Sequence, residues 1–354
     1  MTAKITYSPL VSILTPTYNQ EPFIADCVSS VLAQTFQNWE QIIIDDGSTD
    51  RTAEAVQHFS DSRIHFFRQA NQGIEALAHT YRRALSHAQG ELVAILEGDD
   101  SWPEQKLSVM VPAFLDKDIV LAYGAFQDRE ATGRFNPELS RSVRRRQTLP
   151  RSILLNDPIG AATRFMLRSD GLDLIPECTV LMRRSALEAI GGFQYVPGLC
   201  TTSFPTFLRL GLMGRFHYTP HVMGYRRRHI TSASLRYFDR MMEGAHRHSL
   251  NFVQKEKLPL TELERKAIER SWQRAVYWRH FTVGRYLLTQ KRWEEARRRF
   301  RRALNPLLPR TFLGSLAGWT LAMCRCDLET TLGLLGKAKW LAGERRSPGT
   351  ATSR

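Results

Sequence analysis

The chain has 354 residues, of which 43% are hydrophobic and 24% are charged. This is the composition of a globular protein with a sizeable core, and the length is sufficient for two domains. The formal net charge of +14 lies almost entirely in residues 241–354, since residues 1–240 contain 26 Lys and Arg against 25 Asp and Glu. Because the charge is confined in this way and no basic segment alternates with aromatic residues, we expect no nucleic-acid partner.

The cysteines and the apolar segments bear on the cellular location. The five cysteines form no C-x-x-C pair, which favours reduced thiols and a cytoplasmic protein. The N-terminal residues lack the long apolar stretch of a signal peptide. The longest apolar run near the C-terminus, FLGSLAGWTLAMC, falls short of the roughly 20 residues that span a bilayer. We therefore expect a cytoplasmic protein without a membrane-spanning helix.

The first hundred residues alternate between strand and helix patterns. Four apolar runs predict strands, namely VSILTPTYN, EQIIIDD, RIHFFRQ and ELVAILEGDD. Three segments between them place apolar residues at helical spacing, namely EPFIADCVSSVLAQTF, DRTAEAVQHF and IEALAHTYRRALSHA. Strands that alternate with helices predict an α/β fold with a mainly parallel sheet, flanked by helices on both faces.

Beyond residue 100 the patterns are first mixed and then helical. Residues 127–150 show little periodicity and predict a loop or a flexible lid. The segment ECTVLMRRSALEAIGGF predicts a strand and a helix, and GRFHYTPHVMGYRRRH predicts a strand pair that ends in a basic loop. From about residue 241 the pattern is helical, with two predicted helices that join at Gln290–Lys291.

Acidic residues follow two of the predicted parallel strands, at the point where each strand ends. Asp45 and Asp46 come at the end of the second strand, and Glu97, Asp99 and Asp100 follow the fourth. Ligands of open α/β sheets bind at the carboxyl ends of the strands, so these carboxylates should line one crevice. Like charges at close range disfavour joint ionisation unless a cation compensates them. A Mg²⁺ or Mn²⁺ ion completed by substrate phosphates would do so, which predicts a diphosphate substrate.

These segments resemble glycosyltransferase family 2, whose domains have the GT-A fold. The resemblance runs from VSILTPTYN through IIIDDGSTD to GELVAILEGDDSWPEQKL, and a weaker one continues through VLMRRSALEAIGGF to YRRRHITSAS. It implies a Rossmann-like GT-A domain at residues 1–240, with a nucleotide-binding half at about 9–107 and an acceptor half at about 108–240. A basic helical region at 241–340 and a flexible tail at 341–354 would follow.

The resemblance also implies roles for individual residues. It places Tyr18 against the nucleotide base and Asp46 as the acceptor of a hydrogen bond from a base N–H, which favours a uridine or thymidine diphosphate sugar as donor. The nucleotide-binding residues that it implies are Pro16, Tyr18, Asp46, Asp99, Arg226 and Arg228. The metal ligands that it implies are Glu97, Asp99 and His229, with Mn²⁺ or Mg²⁺ as the ion.

The position of the general base departs from the family. After the Gly-Gly-Phe segment the family carries an acidic pair, one of which is the base, whereas this chain has Thr202 and Ser203. A hydroxyl side chain does not take a proton from an acceptor hydroxyl at neutral pH. Glu177 lies near the strand where the family places acceptor-side residues, so it is the candidate for a substitute base. The alternative for Glu177 is a surface or ion-paired glutamate.

Two functions stay open at this point. The first is a metal-dependent, inverting glycosyltransferase that adds a sugar to a growing glycan or a lipid-linked acceptor. The second is a non-catalytic GT-A domain that binds nucleotide sugar or scaffolds an assembly, which the hydroxyl residues at 202 and 203 favour. The segment EEARRRFRRAL predicts a basic amphipathic helix, which suits peripheral attachment to anionic lipid at the inner face of a membrane.

Overall fold

The computed structural model of the protein describes residues 7–135, 148–229, 231–289 and 291–326. The chain forms two compact units, which divide between Leu260 and Thr261. The predicted tail of residues 341–354 lies outside the described residues, as do residues 136–147 of the predicted loop.

Within the described residues, the first unit is built around one seven-stranded sheet. Its strands are β1 (Val11–Thr17), β2 (Trp39–Asp45), β3 (Ile64–Arg68), β4 (Leu92–Ile95), β5 (Ile119–Glu130), β6 (Leu181–Arg183) and β7 (Arg215–Arg228). They follow the order β3-β2-β1-β4-β6-β5-β7 across the sheet. β6 is antiparallel to both of its neighbours, and the remaining pairs are parallel. The mainly parallel sheet that the sequence predicts is confirmed.

Helices pack against this sheet. The described helices of the first unit are α1 (Ile24–Leu32), α2 (Thr52–Gln57), α3 (Leu77–His87), α4 (Lys106–Met110), α5 (Arg151–Leu154), α6 (Ala161–Met166), α7 (Arg184–Ala189), α8 (Ser203–Leu210), α9 (Ala233–Arg236) and α10 (Phe238–Lys255). α1 buries apolar side chains at helical spacing, as expected for a surface helix. Every residue of β1, β2 and β4 is buried, because central parallel strands are covered on both faces.

The segment predicted as a strand pair with a basic loop is instead one long strand, β7. It pairs with β5 along its length, and the register shifts near Gly124 and Ala125. Pro220 has no N–H for the ladder, but β7 lies at the edge of the sheet and the irregular register accommodates the proline. The predicted basic loop therefore belongs to the strand. For the same reason, residues 127–130 of the predicted loop belong to β5.

The second unit is helical within the described residues. It consists of α11 (Glu262–Thr289), α12 (Trp293–Ala303) and α13 (Pro309–Met323). The Phe300 ring is fully buried and packs closely on Gly284 and Gly318, where any side chain would collide with it. The predicted junction of two helices near Lys291 is confirmed, whereas the domain boundary predicted after residue 240 falls inside α10. Among the residues that the structure describes, no helix has the length and apolar character needed to cross a bilayer.

One buried side chain, Asn156, joins three segments of the first unit. Its Oδ1 accepts hydrogen bonds from the N–H groups of Gly160 (3.0 Å) and Ala162 (2.9 Å). Its Nδ2 donates to the carbonyl oxygens of Gly211 and Gly214, at 2.7 Å each. Asn156 is fully buried, so no solvent replaces these bonds if the side chain is removed.

We expect Asn156→Ala to lower the free energy of unfolding by about 3 kcal/mol, because it leaves four buried backbone groups without partners. Urea denaturation followed by circular dichroism measures this change. The matched control is Asn38→Ala, which removes one exposed hydrogen bond to the carbonyl of Ser8 and should cost about 0.5 kcal/mol or less. Equal destabilisation by the two substitutions would contradict the structural role assigned to the buried Asn156 side chain.

Candidate active site

The loops that follow β1 and β2 are tied together by hydrogen bonds. The N–H of Asn19 donates to Ser48 Oγ (2.9 Å), and Asn19 Oδ1 accepts from the N–H of Thr49 (2.8 Å). The N–H of Gln20 donates to Thr52 Oγ1 (2.8 Å). Asn19 has a φ of 49°, a conformation that Asn tolerates better than most residues. These contacts hold the carboxyl ends of the first two strands beside each other.

The two aspartates at the end of β2 differ in burial and in partners. Asp45 is fully buried and accepts a hydrogen bond from the N–H of Ser48 (2.9 Å). Asp46 is partly exposed, and its Oδ1 accepts from Gln69 Nε2 (2.7 Å) and from the N–H of Gln72 (3.0 Å). Within the described residues, Asp46 Oδ2 accepts no hydrogen bond. Asp45 therefore stabilises the turn, whereas Asp46 keeps one oxygen available to a ligand.

Pro16 and Tyr18 lie at the end of β1, beside Asp46. Pro16 is buried in the strand, and its carbonyl accepts a hydrogen bond from the N–H of Gly98 (3.3 Å). The carbonyl of Thr17 accepts from the N–H of Asp46 (2.9 Å), which places Tyr18 next to that aspartate in the fold. The Tyr18 side chain is 46% exposed. A ligand therefore has access to its ring, whereas Pro16 contributes through the backbone.

The acidic loop after β4, Glu97–Asp100, is fastened to its neighbours through the backbone. A Cβ at Gly98 would lie 2.8 Å from Thr17 Oγ1 and close to Gln20 Oε1, so any other residue would force these side chains to move. The backbones of Ser101 and Tyr225 exchange two hydrogen bonds, at 3.1 and 2.8 Å. The acidic loop is thus fixed between β1 and the end of β7.

Arg227 places a buried positive charge under the acidic loop. Its side chain is only 3% exposed. Nε donates to the carbonyl of Asp99 (3.1 Å), and one guanidinium nitrogen forms an ion pair with Asp26 (2.6 Å). The backbone N–H of Arg227 donates to Asp100 Oδ1 (2.9 Å). Arg227 therefore anchors the loop through two hydrogen bonds, and its backbone N–H opposes the rise in the pKa of Asp100 that burial causes.

Asp99 and His229 meet directly. His229 Nε2 lies 2.8 Å from Asp99 Oδ2, and Nδ1 lies 2.8 Å from Thr231 Oγ1. The imidazole also packs against the Phe23 ring, with 4.6 Å between the ring centroids. Two of the three metal ligands that the sequence predicts are thereby brought together.

Glu97, the third predicted ligand, faces the helix α3. The hydroxyl of Tyr81 donates to Glu97 Oε1 (3.3 Å), and the buried Tyr81 ring stacks on Phe193. Burial and the negative charges of Glu177 and Asp99 raise the pKa of Glu97 well above its usual value. Burial and Asp99 raise the pKa of Asp100 in the same way. The cluster thus contains more carboxylates than the surrounding protein charges compensate.

Glu177 lies near the acidic loop and forms an acidic cluster with Glu97, Asp99 and Asp100. It comes from a separate segment, a short 3₁₀ turn before β6. Its Oε1 accepts hydrogen bonds from Thr201 Oγ1 (3.0 Å) and from Ser203 Oγ. Thr202 turns away, and its hydroxyl donates to the carbonyl of Gln194 (3.1 Å). The proposed substitute base thus contacts one of the two residues that replace the expected acidic pair.

The described residues contain no group of three or more His, Cys, Asp or Glu side chains spaced to hold a metal ion. Asp99 and His229 nevertheless offer an oxygen and a nitrogen ligand side by side. Carboxylate and imidazole ligands suit Mn²⁺, and Mg²⁺ is commonly held by one or two carboxylates with substrate phosphates. A divalent cation would also relieve the repulsion that raises the pKa values of Glu97 and Asp100. The residues present fit such an ion.

Arg226 and Arg228 do not contact the acidic loop within the described residues. Both form ion pairs with Asp128 of β5, at 2.9 and 3.2 Å. Side chains alternate along a strand, so these two arginines lie on the face opposite to Arg227. Arg226 remains close enough to Asp100 to oppose the rise in the pKa of that carboxyl.

The sequence prediction missed Gln69 and Tyr81, and it missed the particular contacts of Arg227 and of the Ser203 hydroxyl. Gln69 follows β3 directly, so the strand-end argument that selected Asp46 also applies to it. The role of Arg227 differs from the roles of Arg226 and Arg228 because side chains alternate along a strand. The sequence did not show that this segment is a strand. For Tyr81 and the Ser203 hydroxyl no local signal exists, because their partners are distant in sequence.

Comparisons with known proteins give a family match that includes the acidic loop. Residues 12–191 match the family described as glycosyl transferase family 2. The Escherichia coli UDP-Glc:alpha-D-GlcNAc-diphosphoundecaprenol beta-1,3-glucosyltransferase WfgD is 40% identical over 118 residues, 33% of this chain and 46% of that protein. The putative teichuronic acid biosynthesis glycosyltransferase TuaG of Bacillus subtilis is 37% identical over 123 residues, 34% of this chain and 48% of that protein. The chain thus spans about half the length of these curated relatives.

Solved structures show a related fold. The mannosyltransferase PcManGT from Pyrobaculum calidifontis, in complex with GDP-Man and Mn²⁺, aligns over 96% of this chain and 82% of its own, with a TM-score of 0.53 and 18% identity. TarS of Staphylococcus aureus aligns over 88% and 54%, with a TM-score of 0.50 and 18% identity. Structural similarity at 18% sequence identity shows the fold alone. The predicted GT-A type fold is confirmed. Since the family match covers half of the sequence with the acidic loop inside it, the chain belongs to glycosyl transferase family 2.

Proposed function

We propose that the protein is a metal-dependent, inverting glycosyltransferase. It transfers a sugar from a UDP or dTDP donor to a hydroxyl of a growing glycan or a lipid-linked acceptor. The observation that carries this proposal is the gathering of Glu97, Asp99 and Glu177 beside strand ends that also present Asp46. The names of the two relatives support it, since one specifies UDP-Glc and an alpha-D-GlcNAc-diphosphoundecaprenol acceptor and the other teichuronic acid biosynthesis.

Asp46 and Tyr18 would bind the base of the donor. The available Oδ2 of Asp46 accepts a hydrogen bond from the N3–H of uracil or thymine. Gln69 and the N–H of Gln72 hold the other carboxylate oxygen, which orients the group before the nucleotide arrives. The exposed Tyr18 ring offers a flat apolar surface beside it, on which a base can stack.

Asp99 and His229 would hold Mn²⁺ or Mg²⁺ at the acidic loop, with Glu97 beside them. The ion supplies Lewis-acid stabilisation of the negative charge on the departing nucleotide diphosphate. The chain itself contributes the fixed position of Asp99, since Arg227 anchors the backbone of that residue and His229 its side chain.

Glu177 would act as the general base. In the proposed step, an oxygen of the acceptor hydroxyl forms a bond to the anomeric carbon as the bond from that carbon to the diphosphate oxygen breaks. The hydroxyl proton passes to the Glu177 carboxylate, and the bonding electron pair leaves with the nucleotide diphosphate. Attack opposite to the leaving group inverts the anomeric configuration.

A second candidate function is a non-catalytic domain that binds nucleotide sugar. Thr202 and Ser203 favour it, because neither hydroxyl replaces the acidic pair of the family. The position of Glu177 opposes it, since a carboxylate lies against Ser203. Donor binding without any turnover distinguishes this alternative from the enzyme.

Peripheral attachment at the inner face of the cytoplasmic membrane would bring the enzyme to a lipid-linked acceptor. The structure changes how α12 could contribute, because its apolar side chains Ala296, Phe300 and Ala303 are buried in the second unit. Arg298 and the pair Arg301–Arg302 are exposed. Attachment through α12 would therefore depend on electrostatic attraction to anionic lipid and not on insertion of an apolar helix face.

Donor binding should depend on both Asp46 and the metal ion. We expect UDP with Mn²⁺ to raise the thermal unfolding midpoint more than UDP, GDP or Mn²⁺ alone. Asp46→Asn should abolish the preference for UDP, and Asp99→Asn should abolish the effect of Mn²⁺. Differential scanning fluorimetry with a panel of nucleoside diphosphates measures these shifts. An identical Mn²⁺ effect in wild type and Asp99→Asn would contradict the metal assignment.

Glu177→Gln should lower turnover by about a hundredfold or more, because the amide cannot accept the proton of the acceptor. UDP binding should stay within about twofold, since Glu177 is not placed on the donor base. Release of UDP from UDP-glucose and UDP-N-acetylglucosamine, with water as acceptor, measures the rate. The control Glu188→Gln removes an exposed ion pair with Arg184 on α7 and should leave turnover unchanged. Full activity of Glu177→Gln would exclude Glu177 as the base.

Replacement of the exposed arginines of α12 should weaken vesicle binding. We expect the triple variant Arg298→Gln, Arg301→Gln, Arg302→Gln to lose roughly a hundredfold in affinity for phosphatidylglycerol vesicles at low salt, at about 1 kcal/mol per charge. Vesicle sedimentation measures the bound fraction. The control replaces Lys117, Arg134 and Arg151 of the first unit by Gln and should bind as wild type does. Absence of binding by wild type at low salt would remove the membrane proposal.

A further inference from the structure

The Glu177 carboxylate is held asymmetrically. Thr201 Oγ1 donates to Glu177 Oε1 (3.0 Å), Ser203 Oγ donates to the same atom, and the two hydroxyl oxygens lie 2.8 Å apart. Within the described residues, Glu177 Oε2 accepts no hydrogen bond. One oxygen is thus fixed by hydroxyl groups, while the other is available to take a proton.

The backbone next to Glu177 is fixed as well. The carbonyl of Cys178 accepts hydrogen bonds from Trp102 Nε1 (2.8 Å) and from Lys106 Nζ (2.9 Å). Lys106 is fully buried, and Trp102 and Lys106 belong to the segment that follows the acidic loop. The turn that carries Glu177 therefore cannot shift away from the acidic loop without breaking two buried hydrogen bonds.

The hydroxyl groups come from a different element, the start of α8. Ser203 is the first residue of that helix and is 4% exposed. The N-terminal end of a helix carries a partial positive charge, which favours a carboxylate nearby. The start of α8 thus holds the Glu177 carboxylate within the acidic cluster.

We propose that Ser203 and Thr201 are positioning residues that hold Glu177 where a carboxylate on residue 203 would otherwise lie. In this chain the turn before β6 supplies the general base, whereas the family's base lies at the start of α8. Ser203 keeps the Glu177 carboxylate in reach of the same acceptor hydroxyl. This inference rests on the proposed function, because it assigns a role within the same transfer step. Ser203 takes no proton itself.

Removal of the Ser203 hydroxyl tests the positioning role. We expect Ser203→Ala to lower kcat at least about tenfold, since it removes a hydrogen bond to a charged group. The KM for UDP-glucose and the thermal shift with UDP and Mn²⁺ should not change. Ser203→Thr keeps the hydroxyl and should restore most of the rate. An unchanged kcat for Ser203→Ala, or an equal loss of nucleotide binding, would overturn the inference.

A transplanted carboxylate gives a second, independent test. We expect Glu177→Gln combined with Ser203→Asp to release UDP from UDP-glucose at least tenfold faster than Glu177→Gln alone. A double variant that folds, binds UDP and is no faster than the single variant would overturn the relocation. The proposed function fails differently, since it would fall if wild type released no UDP from any donor or if Glu177→Gln were fully active.

Discussion

Compensation of carboxylate charge is the constraint on which this site depends. Glu97, Asp99, Asp100 and Glu177 share one region at the carboxyl ends of the strands, and burial raises the pKa values of two of them. Arg227 binds the backbone carbonyl of Asp99 and the His229 imidazole contacts the Asp99 carboxylate, and a bound cation would compensate the remaining negative charge. Gly98 packs closely against side chains of the β1 loop, and the buried guanidinium of Arg227 holds the backbone of Asp99.

The carboxylate proposed to bind the donor base and the one proposed as the general base are held in the same way. Asp46 and Glu177 each have one oxygen bound by protein donors and one without a partner among the described residues. A carboxylate held in this way is oriented before the ligand arrives, so less conformational freedom is lost on binding. The donors come from neighbouring loops in both cases, which links the binding geometry to the packing of strand ends and helix starts.

The segment that follows the acidic loop and the turn that carries Glu177 are joined by buried hydrogen bonds. The acidic loop continues into the segment with Trp102 and Lys106, and both side chains hold the carbonyl of Cys178 next to Glu177. A shift of either part would disturb the other, because these hydrogen bonds are buried. In the second unit, the proposed membrane attachment depends on the exposed arginines of α12.

The sequence by itself determined the alternation of strands and helices, the parallel sheet, and the strand ends at Asp46 and Asp99. It could do so because hydrophobic periodicity and strand-end position are local properties. It did not determine that residues 226–228 belong to a strand, because a proline such as Pro220 usually indicates a turn. An edge strand tolerates a proline, and only the structure shows that β7 lies at the edge of the sheet. Only the tertiary structure decided that Arg227 faces the acidic loop while its neighbours face Asp128, and that Glu177 meets Ser203. Those pairs are separated by many residues along the chain, so packing alone brings them together.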